Sequence, residues 1–236
     1  MVNLGVVGNR LLFEGRPTEK SHQLWTSDGT SDGTVLVKDV GLLFPPFDFD
    51  GIGILPAGPF SDVELWRTDG TASGTLLVRD INATGGSFPY GFHRMDGFVY
   101  FIAEDDAGRE LWKTDGTPSG TARIKDIRPG TLGSLEGVSV LAEVNHRIVF
   151  PADDGTFGRE PWVSDGTPDG TTLLADICSG ACSSFADAFI SYKGFVYFLA
   201  SSSGGMVSLW RTDGTPAGTH VSVSYTHLTL PTIYSV

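Results

Sequence analysis

Apolar residues fall in short bursts cut by turn formers, and the bursts recur in groups of four. One group is easy to follow. Tyr90 to Met95 predicts a first strand, closed by Asp96-Gly97, and Phe98 to Ala103 (FVYFIA) predicts a second. A polar turn from Glu104 to Arg109 leads to a third strand, Glu110 to Thr114. After the loop DGTPSG a fourth runs from Thr121 to Ile127. The same order returns as RIVFPA, DDGTFGRE, PWVSDGTPDG and TTLLADI, and again as FVYFLA before SLW. The first copy has RLLFEG in that place, and the second has the weaker string Gly51-Ile-Gly-Ile-Leu55.

The tryptophans set the period. All five stand in one phrase: QLWTSDGTSDGT at Trp25, ELWRTDGTASGT at Trp66, ELWKTDGTPSGT at Trp112, EPWVSDGTPDGT at Trp162 and SLWRTDGTPAGT at Trp210. Their spacings are 41, 46, 50 and 48 residues, the period of propeller blades or related arrays. A burst such as FVYFIA or FVYFLA, apolar at successive positions, predicts a strand buried on both faces, as in a small sheet held between two like sheets. Phe13, Phe101, Phe150 and Phe198 recur 11 or 12 residues before their tryptophans. Each Trp can bury ~150–250 Å², so a row of five would supply much of the contact between blades. The phrase between strands three and four reads as turn chemistry. Asp-Gly supplies a tight turn, Pro118, Pro168 and Pro216 suit a following type I turn, and Gly120, Gly170 and Gly218 end it.

Composition changes the picture in one respect, by excluding partners. With 28 acidic and 16 basic residues the net charge is −12, so phosphate backbones and anionic membranes are repelled, and no Lys/Arg cluster reverses this locally. No window is apolar for the ~18 residues that a membrane span requires. The 31 glycines and 13 prolines fit many short strands with frequent reversals.

The phrase and the endings Asp80-Ile81 and Asp126 to Gly130 resemble the ELWxxDGT repeat proteins of bacteria, over about 220 of the 236 residues. Gln23 and Ser208 replace the Glu of the pattern and Pro161 replaces its Leu. The resemblance implies a propeller-like fold and an exported or surface-attached protein, and it names no molecular role. An exported protein would pair Cys178 with Cys182, the two cysteines of the chain; their spacing around Gly180 permits a disulfide, with free thiols as the alternative.

Both ends depart from the repeat. The string VSYTHLTLPT within residues 223–236 is what a common transposon-based sequencing adapter gives when translated in one frame, so that segment is expected to be foreign to the fold. Leu4 to Phe13 aligns with Leu141 to Phe150, inside a blade, so Met1 is expected to be an internal start.

Candidate chemistry is sparse. Asp28, Asp69, Asp115, Asp165 and Asp213 of the DGT phrase, and Asp39, Asp80, Asp126 and Asp176 after strand four, could offer oxygens to calcium, but they lack the dense spacing of calcium loops and read first as turn formers. Asp105-Asp106 and Asp153-Asp154 recur in register on successive blades and read as solvated turns rather than a glycosidase pair. His22, His93, His146, His220 and His227 occupy five unrelated places, giving neither a metal pattern nor a base for a nucleophile.

The expected protein is all-β, a propeller-like array of about five four-stranded blades, incomplete or open. One repeat domain covers residues 1–222, with blades near 1–40, 41–82, 83–130, 131–178 and 179–222. The expected role is a non-catalytic module that presents loops to a protein or glycan, without cofactor, nucleic acid or membrane insertion. The alternatives are a propeller glycoside hydrolase and a calcium-stiffened stalk.

Overall fold

The structure, a computed structural model, describes residues 3–18, 22–138, 140–203 and 205–223. His227 and the rest of the segment 224–236 lie outside the described residues. The described chain is all-β. Five four-stranded antiparallel sheets follow one another, each built from four consecutive strands in sequence order. Blade 1 holds β1 (Leu4–Val7), β2 (Arg10–Gly15), β3 (Gln23–Ser27) and β4 (Val35–Lys38). Blade 2 holds β5 (Phe47–Phe49), β6 (Ile52–Ala57), β7 (Glu64–Thr68) and β8 (Leu76–Arg79). Blade 3 holds β9 (Tyr90–Met95), β10 (Phe98–Asp105), β11 (Gly108–Thr114) and β12 (Ala122–Arg123). Blade 4 holds β13 (Ala142–Val144), β14 (Arg147–Asp153), β15 (Arg159–Ser164) and β16 (Thr172–Leu173). Blade 5 holds β17 (Asp187–Tyr192), β18 (Phe195–Ser201), β19 (Val207–Thr212) and β20 (His220–Val223). Two compact units share these blades: Met1–Leu141 with Gly166–Pro168, and Ala142–Asp165 with Asp169–Val236.

Strand limits differ from the expectation in blades 2, 3 and 4. The turn predicted at Glu104 to Arg109 is shorter, because β10 and β11 pair as far as Asp105 opposite Gly108. The fourth strands of blades 3 and 4 are two residues long, Ala122–Arg123 and Thr172–Leu173, rather than 121–127 and TTLLADI. The weak string of copy two forms a regular strand, with Ile54, Leu55 and Ala57 fully buried.

The recurring Phe and Trp are direct cross-strand partners: Phe13 faces Trp25, Phe101 faces Trp112, Phe150 faces Trp162 and Phe198 faces Trp210, with Leu55 facing Trp66 in blade 2. Such opposed pairs are the unit of sheet stabilisation. In blades 2, 3 and 5 the pair lies on the face that meets the preceding blade of the same unit. Leu55, Ala57 and Trp66 of blade 2 pack on Leu12 and Leu24 of blade 1. Phe101 and Trp112 of blade 3 pack on Ile54 and Leu65 of blade 2, and Phe198 and Trp210 of blade 5 on Val149 and Val163 of blade 4. Lys38 and Arg79, at the ends of β4 and β8, lie over the Trp66 and Trp112 rings at 5.4 and 5.9 Å. The core is thus a series of two-blade layers.

Burial on both faces holds for β10, where every residue from Val99 to Ala103 is at most 2% exposed. It fails for β18. Val196, Phe198 and Ala200 are buried, whereas Leu199 is 38% exposed, so FVYFLA alternates despite its composition.

The DGT loop is closed by its own hydrogen bonds. Asp69 Oδ1 accepts from the Thr71 N–H (2.9 Å) and hydroxyl (2.7 Å), Thr71 Oγ1 accepts from the Gly74 N–H (3.0 Å), and Thr68 and Thr75 hydroxyls meet at 2.6 Å. Blades 1, 3 and 5 repeat the Asp–Thr contacts at Asp28, Asp115 and Asp213. The terminal glycine is required because a Cβ at Gly74 would overlap the Asp69 carboxylate. Gly74→Ala is therefore expected to lower stability by about 1–2 kcal/mol in urea denaturation. Added to Asp69→Ala, which removes the obstruction, the same change should cost under about 0.5 kcal/mol. Additive costs would contradict this reading of the loop.

Candidate functional site

The Glu two residues before Trp66, Trp112 and Trp162 turns inward. Glu64 is 3% exposed, and Glu110 and Glu160 are fully buried. The carboxylate of Glu64 accepts from the backbone N–H groups of Ile81 (2.9 Å) and Ser87 (2.9 Å) and from the Ser87 hydroxyl (2.6 Å). Glu110 accepts from the N–H groups of Ile127 (3.3 Å) and Ser134 (3.0 Å) and from the Ser134 hydroxyl (2.6 Å). Glu160 accepts from the N–H groups of Ile177 (3.0 Å), Cys178 (3.2 Å) and Ser184 (2.9 Å). In each case the acceptor ties down the segment that leaves strand four and the start of the next blade, 17 and 23 or 24 residues on. Loop N–H groups that would otherwise be buried without partners are satisfied by one side chain. Burial pushes the Glu110 carboxyl up to about 6 and those of Glu64 and Glu160 upward, against the hydrogen bonds that pull them down.

Copy one lacks this anchor. Gln23 occupies the position, and its Oε1 accepts instead from the Trp25 indole N–H at 3.3 Å. Counting the same 17 and 18 residues onward leads to Val40 and Gly41, and both line a cleft of about 590 Å³ within the first unit. Its walls come from Asn3, from the residues after β2 (Arg16, His22), from the segment joining blades 1 and 2 (Asp39 to Leu43) and from the Gly58 to Val63 turn. The cleft therefore opens where the anchoring Glu is missing from the repeat.

Residues that do not recur elsewhere converge there. Glu14 is fully buried by side chain, and its Oε1 accepts from Arg16 Nε at 2.6 Å and lies 2.7 Å from His22 Nδ1. Its Oε2 accepts from Asn3 Nδ2 at 3.2 Å, and the same amide donates to the Leu42 carbonyl at 2.6 Å. Burial raises the Glu14 carboxyl, but the hydrogen bonds from Arg16 and His22, the Arg16 charge and the Asn3 amide outweigh it and hold the carboxyl below its ordinary range. Arg16 and His22 side chains stay 43% and 45% exposed on the cleft side of this cluster. At the mouth the Phe60 ring is 80% exposed, set edge-on to Phe88 at 6.2 Å between centroids. Phe88 itself is held at φ +46°, a left-handed conformation that is costly for an aromatic residue.

Of the residues singled out by sequence, His22 and Asp39 are brought to this cleft, and the others are not. Asp28, Asp69, Asp115 and Asp213 accept from their own loops, which holds their carboxyls below the ordinary range. Both carboxylate oxygens of Asp105 accept from Arg123 Nη1 (each at 2.9 Å), and Asp154 accepts from the N–H groups of Thr156 and Phe157. Among the described residues no group of three or more His, Cys, Asp or Glu is placed to hold a metal ion. His220 accepts from Arg211 Nε at 2.9 Å. Cys178 and Cys182 form a disulfide with Cα atoms 5.2 Å apart, in the segment that Glu160 anchors. Among the described residues no helix is long and apolar enough to cross a membrane. Sequence reasoning passed over Asn3, Glu14, Arg16 and Phe60, since none stands in the repeated phrase. The departure at Gln23 was the signal that could have led to them.

No protein-family model matches the chain, and no curated protein matches it. Among solved structures it is similar to one reported in an analysis of two prolyl endopeptidases, at TM-score 0.51 and 12% identity, over 94% of this chain and 36% of that one. It is also similar to puromycin hydrolase, at TM-score 0.50 and 15% identity, over 92% of this chain and 38% of that one. The fold is propeller-like. At these identities the likeness extends to fold alone, and the chain spans less than two-fifths of either protein.

Proposed function

We propose that the chain is a non-catalytic, exported or cell-surface propeller-like module that binds a neutral glycan in the cleft between blades 1 and 2. The observation that carries this reading is the bare Phe60 ring at the mouth of a cleft lined by fixed hydrogen-bonding side chains. A lone exposed aromatic needs no explanation, but one beside a concave site with convergent polar groups does. An aromatic ring offers the C–H face of a sugar a flat apolar platform, and Asn3, Arg16, His22 and Asp39 offer donors and acceptors to its hydroxyls. The net charge of −12 disfavours an acidic glycan. Export is supported by the family resemblance and is compatible with the disulfide.

The glycosidase reading gains from the convergence of Glu14, Arg16, His22 and Asn3, which the repeat pattern did not single out. It is the weaker reading because a general acid needs a raised carboxyl and a nucleophile needs an open oxygen, whereas Glu14 is held low and both its oxygens are engaged. No metal enters the proposed role.

Isothermal titration of the full chain with neutral hexasaccharides (glucose, mannose and N-acetylglucosamine oligomers) tests the proposal. At least one is expected to bind without being cleaved, and Phe60→Ala should weaken it at least about tenfold, roughly 1.4 kcal/mol. Failure of the whole panel to bind, or an unchanged affinity in Phe60→Ala, would overturn it; release of shorter sugars would favour the hydrolase.

A further inference from the structure

Inside each unit, one kind of contact joins neighbouring blades: the Phe/Trp face of one blade covers the opposite face of the blade before it. Among the described residues, one such face of blade 1 and one of blade 5 are open. On blade 1, Leu11 on the Trp25 face is 39% exposed and its cross-strand partner Val6 is 60% exposed, whereas Val99 and Val196, at the register of Leu11 in blades 3 and 5, are 0% exposed. On blade 5 the opposite face is open: Leu199 is 38% and Ile190 is 62% exposed, whereas Ile102, at the register of Leu199 in blade 3, is 0% exposed.

Polar contacts between blades mark the same two faces. Arg67, the residue after Trp66, donates to the carbonyl of Gly116 in the DGT loop of the next blade at 3.2 Å. Arg147 does the same to Gly214 at 2.9 Å, and Arg10 lies against Gly70. Gly29, the corresponding glycine of blade 1, has nothing within 4 Å of its Cβ position among the described residues. Arg211 stands at the register of Arg67 on blade 5, and it folds back over the Phe195 ring at 4.8 Å and onto His220 at 2.9 Å.

We infer that these faces are complementary and that a second copy of this chain docks head to tail, the open face of blade 5 covering the Trp25 face of blade 1, with Arg211 reaching the Gly29 carbonyl of the other copy. The occupant is identified by the contacts within the chain, where the same apolar register and the same Arg-to-glycine link hold one blade on the next. Two different surfaces meet, so the contact is heterologous. It is independent of the glycan reading, which concerns blades 1 and 2 only.

Sedimentation velocity of the full chain at rising concentration tests this. The wild type is expected to associate. Val6→Lys/Leu11→Lys, which blocks the first face, and Leu199→Lys/Arg211→Glu, which blocks the second, should each weaken association at least tenfold. A mixture of the two should form a 1:1 dimer through the surviving pair of faces. All four lysine or glutamate positions are partly exposed or at the open faces, and circular dichroism checks that both variants fold. A wild type that stays monomeric throughout, a single variant that associates as well as the wild type, or a mixture that forms no dimer would each overturn the inference.

Discussion

Phe101→Ala is expected to destabilise the first unit by about 4 kcal/mol, the cost of emptying a large, fully enclosed core site. Phe101 is 0% exposed and lies between two blades, with the Phe92 ring 5.8 Å and the Trp112 ring 6.5 Å away, and it packs in one cluster with Ile54, Leu65 and Val78 of blade 2. The strands around it are held in hydrogen-bonded register, so the site has little freedom to collapse. In urea denaturation the midpoint should fall with the slope unchanged. A loss under about 1 kcal/mol would mean that the blades do not rely on this layer. Phe60→Ala, a change of the same size at an exposed ring, should stay within about 0.5 kcal/mol and serves as the control.

Glu110→Ala should cost roughly 3 kcal/mol at neutral pH. The substitution removes the acceptor for the Ile127 and Ser134 N–H groups and the Ser134 hydroxyl together, and each donor is left in a dry place. The same carboxyl gives stability a pH dependence whose sign is fixed by its direction. Its folded value of about 6 lies above the ordinary 4.5, so the stability it contributes is fully present below pH 4.5 and is lost as pH rises through 6. Over that window the wild type should lose about 2 kcal/mol relative to Glu110→Gln, which cannot titrate. Glu64 and Glu160 act in the same direction. The loop aspartates act oppositely and lower down: their depressed carboxyls contribute stability present above 3.8 and lost at more acidic pH. Parallel curves for the wild type and Glu110→Gln between pH 4 and 7 would contradict the assignment.

The repeat was legible because its determinants are local. Trp spacing, Asp-Gly turns and apolar bursts each report on a few neighbouring residues, and together they set the blades and their order. What the pattern could not show acts across longer distances. Glu110 looks like one polar position in a strand, and its partners lie 17 and 24 residues away at the start of another blade. The cost of changing Glu to Gln at residue 23 was invisible for the same reason, although counting 17 and 18 residues on from Gln23 leads to Val40 and Gly41 in the cleft. Composition also misled at FVYFLA, since a strand can be apolar at every position and still be covered on one face, as Leu199 is not. Phe60 and Asn3 belong to no motif: Asn3 meets Glu14 where the chain enters β1 beside the end of β2, and Phe60 reaches the cleft of Arg16 and His22 because blade 2 stacks on blade 1.

The location of the bound ligand is the most direct test of the proposed role. The amide spectrum of the isotopically labelled full chain would be followed by NMR while the tightest-binding neutral hexasaccharide is added. Shifts confined to residues 3, 14–16, 22, 39–43 and 58–63, saturating with one affinity, are the expected result. Shifts spread over the DGT loops of several blades, with the cleft residues unmoved, would contradict it and return the binding surface to the repeated rim.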